Sequence, residues 1–95
     1  MTKQKGPMRD AVRLSSGLYV SKAVHDDLFE HVKAGIQRLK YDRPYKARDM
    51  LEPHYYREQD PWKVGGCVAD WERHREISVR FLGCPYCSVR FYERR

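Results

Sequence analysis

Two cysteines near the end of the sequence have the spacing that most directly suggests chemistry. Cys84 and Cys87 enclose Pro85 and Tyr86. Two thiols at this spacing can supply half of a tetrahedral zinc site, or they can form a redox pair. Two thiols that hold no ligand are the third interpretation. The surrounding sequence has to decide among these three.

The string Cys84-Pro85-Tyr86-Cys87 is identical to the active-site motif of glutaredoxins. In that family the motif follows the first strand and opens a helix, and most of the fold comes after it. Here only residues 88–95 follow, which are too few for a thioredoxin-like βαβ unit. We therefore expect no glutaredoxin-like activity, and thiol redox chemistry is kept as the remote alternative.

A third cysteine, Cys67, favours the metal interpretation. Cys67 and Cys84 are separated by sixteen residues, and zinc ribbons place fifteen to twenty residues between two C-x2-C pairs. Val64 occupies the position of the missing cysteine, so the segment from Val64 to Tyr92 resembles a zinc ribbon that has lost one ligand. The resemblance implies about one zinc per chain, held by Cys67, Cys84 and Cys87.

The fourth zinc ligand is open between two histidines. His54 precedes the expected hairpins and can approach from the helical half, whereas His74 would lie in a turn at the far end of a hairpin. We therefore prefer His54, although an ordinary exposed histidine is an alternative interpretation of it. No H-E or H-x-E pattern supplies a general base, so we expect a structural zinc and a protein that is not an enzyme.

Charge and composition favour anionic partners. The formal net charge is +6 and the pI is about 9.4, which points first to nucleic acid, although a modest positive charge also serves solubility alone. The sequence contains no apolar leader or membrane span, and three cysteines cannot all pair as disulfides. We therefore expect a cytoplasmic protein with no membrane partner and no small-molecule substrate.

Periodicity predicts an α+β fold with two or three N-terminal helices packed on a small C-terminal antiparallel sheet. Ser21 is expected to cap a helix from about Lys22 to Lys40. A second helix is expected to restart at Asp42-Arg43-Pro44, and Pro53 to end or redirect it. The first helix carries a stripe of apolar residues at helical spacing: Val24, Leu28, Val32, Ile36 and Leu39.

From Trp62 onward the apolar residues alternate and predict strands. Three short strands are expected around Cys67–Trp71, Ile77–Phe81 and Val89–Phe91, forming two hairpins that resemble those of a zinc ribbon. Residues 1–13 are expected to form a flexible basic arm. Residues 14–95 then form one domain, with a helical half at 21–59 and a zinc-knuckle half at 62–95.

Basic residues and aromatic residues form the remaining candidate sites. Five basic residues bracket the expected turn between the first two helices and are predicted to contact nucleic acid: Arg38, Lys40, Arg43, Lys46 and Arg48. A solvated loop is the alternative interpretation of this group. Three aromatic residues are predicted to contact a protein partner, since Tyr and Trp are favoured interface anchors, or else to fill the core: Tyr55, Tyr56 and Trp62.

Together these features predict a small, basic, zinc-binding protein that acts on nucleic acid, DNA or RNA, or on a nucleic-acid-processing complex. The alternative is a protein-interaction factor that inhibits or adapts a larger host enzyme. Short basic chains of this kind are common among phage and mobile-element accessory proteins. The sequence contains no phosphate-binding glycine loop and no G-x-S-x-G elbow, which agrees with the expectation that the protein is not an enzyme.

Overall fold

The structure is a computed structural model that describes residues 10–84 and 89–95. These residues form an α+β fold, as predicted, in which helices pack on small antiparallel sheets. The order of elements is β1 (Ala11–Arg13), β2 (Tyr19–Ser21), α1 (Lys22–Ile36), β3 (Pro44–Tyr45), a 3-10 helix (Ala47–Met50), α2 (Pro53–Arg57), α3 (Pro61–Arg73), β4 (Val79–Gly83) and β5 (Phe91–Arg94).

Helix α1 confirms the main helical prediction. The Ser21 hydroxyl accepts a hydrogen bond from the backbone N–H of Val24, which satisfies one of the free donors at the helix start. The helix ends at Ile36 and not at Lys40, because the chain tightens into i→i+3 turns that still bury Leu39. Of the predicted stripe, only Val24 is exposed.

The predicted helix at Asp42-Arg43-Pro44 is wrong. Asp42 has a positive φ of 62°, and Pro44–Tyr45 form the short edge strand β3. Proline is tolerated there because an edge strand does not need every N–H for its ladder. Pro53 then begins α2 as its first residue, the position where proline fits a helix.

The predicted strand around Cys67–Trp71 is also wrong, because this segment lies in helix α3. Asp60 caps the helix by accepting a hydrogen bond from the Trp62 N–H at 2.9 Å. The buried residues recur at helical spacing: Val64, Cys67, Val68 and Trp71. The apparent alternation came from Cys67 and Trp71, which are four residues apart and share one helical face. The first hairpin of the expected zinc ribbon is therefore absent, and the expected β half at 62–95 begins with a helix.

The second predicted hairpin is present. Strands β4 and β5 pair antiparallel, with Phe81 opposite Tyr92, and Gly83 adopts φ 125° where the pairing shifts. Strand β3 pairs with the other edge of β5, so the order of this sheet is β3-β5-β4. The last strand in sequence thus lies in the middle of the sheet.

A separate two-stranded sheet covers the N-terminal side of the fold. Strands β1 and β2 pair antiparallel, with Val12 opposite Val20. Residues 11–13 therefore belong to the folded domain, and the predicted arm that ended at residue 13 was too long. Residues 1–9 of that arm lie outside the described part of the chain.

One core joins these layers. It contains four residues of α1 and its following turn, four of α3, and residues of both sheets, including Val20, Val79 and Tyr92. Within residues 10–84 and 89–95, no helix combines the length and apolar character that crossing a bilayer would require.

Helix α1 and the 3-10 helix meet at a single glycine. A Cβ atom built on Gly35 would overlap the carbonyl oxygen and carbon of Met50, so the two backbones touch directly. Met50 is itself fully buried. Only a residue without a side chain permits this approach.

We predict that Gly35→Ala destabilises the fold by about 3 kcal/mol or more, because two backbone segments must separate. Urea unfolding measures the change. Gly65→Ala in α3 is the matched control, since its Cβ would meet no atom within 4 Å; this variant should gain about 0.5–1 kcal/mol. Equal stability of the two variants would contradict the proposed close contact.

Candidate nucleic-acid interface

Basic and aromatic side chains meet in a groove between the 3-10 helix, α3 and the start of β5. We call it the cationic groove and define it by Lys46, Arg48, Tyr56, Trp62, Gly65 and Arg90. Its cations come from two places that are far apart in sequence. The fold brings them together because β5 pairs with β3, directly before Lys46.

Two of the three cations of the groove, Arg48 and Arg90, are held by neighbouring groups. The Arg48 guanidinium lies 5.4 Å from the centre of the Tyr56 ring. The Arg90 guanidinium lies 4.1 Å from the centre of the Phe81 ring, and its Nε–H donates to the Tyr92 hydroxyl at 3.2 Å. Stacking on rings orients a guanidinium while leaving N–H groups available for an anion.

Trp62 is the most exposed of the large apolar residues of the described chain, at 79% of its full accessible area. It is the second residue of α3, next to the capping Asp60, and so lies off the helical face that packs on the core. A tryptophan this exposed is a candidate contact for a partner, because covering it removes a large apolar area from water.

Two of the five predicted nucleic-acid-binding residues, Lys46 and Arg48, line the cationic groove. Arg38, Lys40 and Arg43 are exposed but lie outside its lining. They are separated from it because Pro44–Tyr45 form a strand where a compact helical corner was expected.

Two other C-terminal arginines have structural partners. The Arg94 guanidinium donates to the carbonyl oxygens of Gln37 and Leu39, at 3.3 and 2.8 Å, and so closes the turns that follow α1. Arg95 donates from Nε to the carbonyl oxygen of Val79 at 3.1 Å. Arg90, which directly precedes β5, is the C-terminal arginine that lines the groove.

The three predicted partner-binding aromatics separate into two roles. Tyr56 and Trp62 line the cationic groove. Tyr55 instead ties α2 to α1: its hydroxyl donates to Asp27 Oδ2 at 2.6 Å, and its ring stacks on His31 at 3.8 Å. Burial, and then the hydrogen bond to the Asp27 carboxylate, raise the pKa of Tyr55.

The predicted zinc ligands occupy different environments. Cys67 is fully buried on α3, His54 is exposed on α2 beside Glu52, and Cys84 is exposed after β4. Cys87 lies outside the described residues. Within the described part of the chain, no three His, Cys, Asp or Glu side chains are grouped to hold a metal, and the zinc stays a prediction.

The groups of the groove are suited to binding an anion and to stacking on an aromatic ring. It combines three cations with two aromatic rings on a surface open to solvent. The chain matches no protein-family model, no curated protein and no solved structure.

We predict that in chelator-treated, metal-free protein Cys67 resists alkylation at pH 8 while Cys84 reacts. Burial raises the pKa of the Cys67 thiol to about 11 from an ordinary value of 9.0, so its thiolate fraction at pH 8 falls about a hundredfold. Iodoacetamide labelling followed by peptide mass spectrometry measures both sites, with unfolded protein as the control. Labelling of Cys67 in the native protein on addition of chelator would show that a metal, and not the core, protects it.

We predict about one zinc per chain in protein purified without chelator, with Cys84 and Cys87 as the ligands that sequence spacing supports most directly. Elemental analysis measures it. Cys84→Ser should remove the metal and lower the melting temperature as chelator does, because binding of such metals is coupled to folding. Protein with no stoichiometric metal would rule the zinc out.

Proposed function

We propose that this chain is a non-enzymatic nucleic-acid-binding protein and that the cationic groove is its contact surface. The observation that carries the proposal is the convergence of Lys46, Arg48 and Arg90 beside the exposed ring of Trp62. The phosphate backbone is the most abundant polyanion a cell offers such a surface, and cations beside aromatic rings suit phosphates beside bases.

The charge of the whole chain supports the same partner. A net charge of +6 attracts a polyanion over a distance and raises its rate of encounter. The arginines of the groove add planar guanidinium groups, which can bind phosphate oxygens in pairs. These contacts supply affinity and position, and they carry no information about base sequence.

A protein partner is the second candidate function. Leu18 and Val89 are exposed apolar residues that lie near Trp62, each lining a hollow that also includes Trp62. Tryptophan and arginine are favoured anchors of protein interfaces. A partner such as a larger host enzyme would bury the same indole, with much less dependence on salt than a nucleic acid shows.

We predict that Lys46→Glu with Arg48→Glu weakens binding of all nucleic-acid sequences alike. If the three cations of the groove each contact a phosphate, log K for a single strand should fall with log salt at a slope of about −2 in the wild type and about −0.7 in the double variant. Fluorescence anisotropy across a salt series measures both slopes.

The matched control is Arg38→Glu with Lys40→Glu, which makes the same change in net charge outside the groove. We expect it to retain the wild-type slope. Equal losses of nucleic-acid affinity in the two double variants would place the binding site on the five-residue basic group predicted from sequence. Wild-type protein that binds no nucleic acid at low salt would favour the protein partner, to be sought by pull-down from nuclease-treated lysate.

A further inference from the structure

A second hollow continues the cationic groove on the other side of Trp62. It is formed by the loop between β1 and β2 and by α3, and we call it the serine hollow: Ser15, Ser16, Gly66, Asp70 and Arg73. The two hollows share Pro61, Trp62, Gly65 and Arg90. Together they form one path across the N-terminal half of α3.

Gly65 lies in the middle of this path, and packing does not explain it. A Cβ built there would meet no atom within 4 Å. Its neighbour Gly66 differs, since a Cβ on Gly66 would come within 2.8 Å of Leu14 Cδ1. Glycine inside a helix costs stability relative to alanine. Gly65 lowers helix stability without improving the packing of the fold. A glycine of this kind is expected where a ligand comes close to the helix backbone.

The two hollows differ in charge. The cationic groove contributes Lys46 and Arg48. In the serine hollow, Arg73 lies beside the Asp70 carboxylate at 4.0 Å and donates to the Ser15 hydroxyl at 2.9 Å. Asp70 also accepts from the Ser15 backbone N–H at 2.9 Å. Apart from the shared Arg90, the charges of the serine hollow are therefore balanced, and it is rich in hydrogen-bonding groups, which suits a base edge better than a phosphate.

We infer that the bound nucleic acid is an unpaired strand that crosses α3 over Gly65, with its phosphates on the cationic groove and a base stacked on Trp62 toward the serine hollow. This inference rests on the proposed function. A duplex keeps its bases stacked on each other and offers no free ring face to Trp62, whereas an unpaired base does. The bare backbone at Gly65 lets the strand pass close to the helix.

The first experiment compares ligands that all present a phosphate backbone but differ in whether their bases are free to stack. Wild-type protein is titrated by anisotropy with an oligothymidylate of about eight nucleotides, with a G·C-rich hairpin duplex of about eight base pairs, and with a strand of about eight nucleotides that carries abasic sites. We expect the duplex and the abasic strand each to bind roughly tenfold more weakly than the intact strand. Equal affinity for all three ligands would mean that only phosphates are bound, and would overturn the inference while leaving the proposed function intact.

Trp62→Ala tests the stacked base directly. It should weaken binding of the intact strand by roughly tenfold, within the range measured for single stacked bases, and should weaken binding of the abasic strand much less. The same loss on both strands would show that Trp62 does not contact a base. Trp62→Phe should retain most of the affinity that Trp62→Ala loses, because an aromatic ring is kept.

Gly65→Ala and Gly65→Leu test the crossing point. Gly65→Ala should raise the melting temperature by roughly 3–8 °C, and Gly65→Leu should fold normally because the space is open. Both should bind the intact strand more weakly, with about a tenfold loss for leucine. Ala34→Leu, on the exposed side of α1, is the control and should bind as the wild type does.

The outcomes separate this inference from the proposed function. No binding of any oligonucleotide by the wild-type protein defeats both. Binding that Lys46→Glu with Arg48→Glu weakens, but that both Gly65→Leu and Trp62→Ala leave unchanged, supports the cationic groove and defeats the crossing over α3.

Discussion

The direct backbone contact between Gly35 and Met50 is the constraint on which the rest of the structure depends. It sets the 3-10 helix against α1 with no side chain between them. The 3-10 helix also packs against α3, so it fixes the position of one helix relative to the other. Lys46 and Arg48 are carried by this same short segment, immediately before and within it. The location of the cationic groove therefore depends on how closely the 3-10 helix can approach α1.

The distribution of the arginines shows how a small basic protein uses one residue type for two purposes. Arg94 closes the turns after α1 by donating to two backbone carbonyl oxygens, and its guanidinium lies 4.5 Å from the centre of the Tyr41 ring. Arg80 pairs with Glu93 across the sheet at 2.7 Å. A count of positive charges along the sequence thus exceeds the number that can contact a ligand, because some of them hold the fold together.

The predictable part of the fold was the part that local signals specify. Helix α1 has an N-cap and an apolar stripe, and no proline interrupts it. Its first residue was predicted correctly. Helix α3 was missed because Gly65 and Gly66 weaken the helical signal and the alternation from Cys67 to Trp71 imitates a strand. The stronger signal was the Asp60-Pro61 pair, which forms an N-cap and a first helical residue. Strand β3 gave no local signal, since it exists only through pairing with β5, far along the chain.

The candidate site was predictable in pieces but not as a whole. Lys46 and Arg48 were assigned to one surface and Tyr56 and Trp62 to another, because residues distant in sequence give no sign that they will converge. Arg90 was assigned to neither surface, for the same reason. Non-local packing brings these residues to one place, through the pairing of β3 with β5 and the contact of the 3-10 helix with α3, and periodicity contains no information about either.

The position of β5 between β3 and β4 has a consequence for how the chain folds. Strand β4 pairs with β5 as a hairpin of neighbouring segments, whereas β3 pairs with β5 only after the chain has passed through residues 46–90. The sheet is complete only after this long loop has closed, and folding is therefore expected to be slow for the size. Any intermediate that lacks β5 leaves two strand edges exposed and open to pairing with other chains.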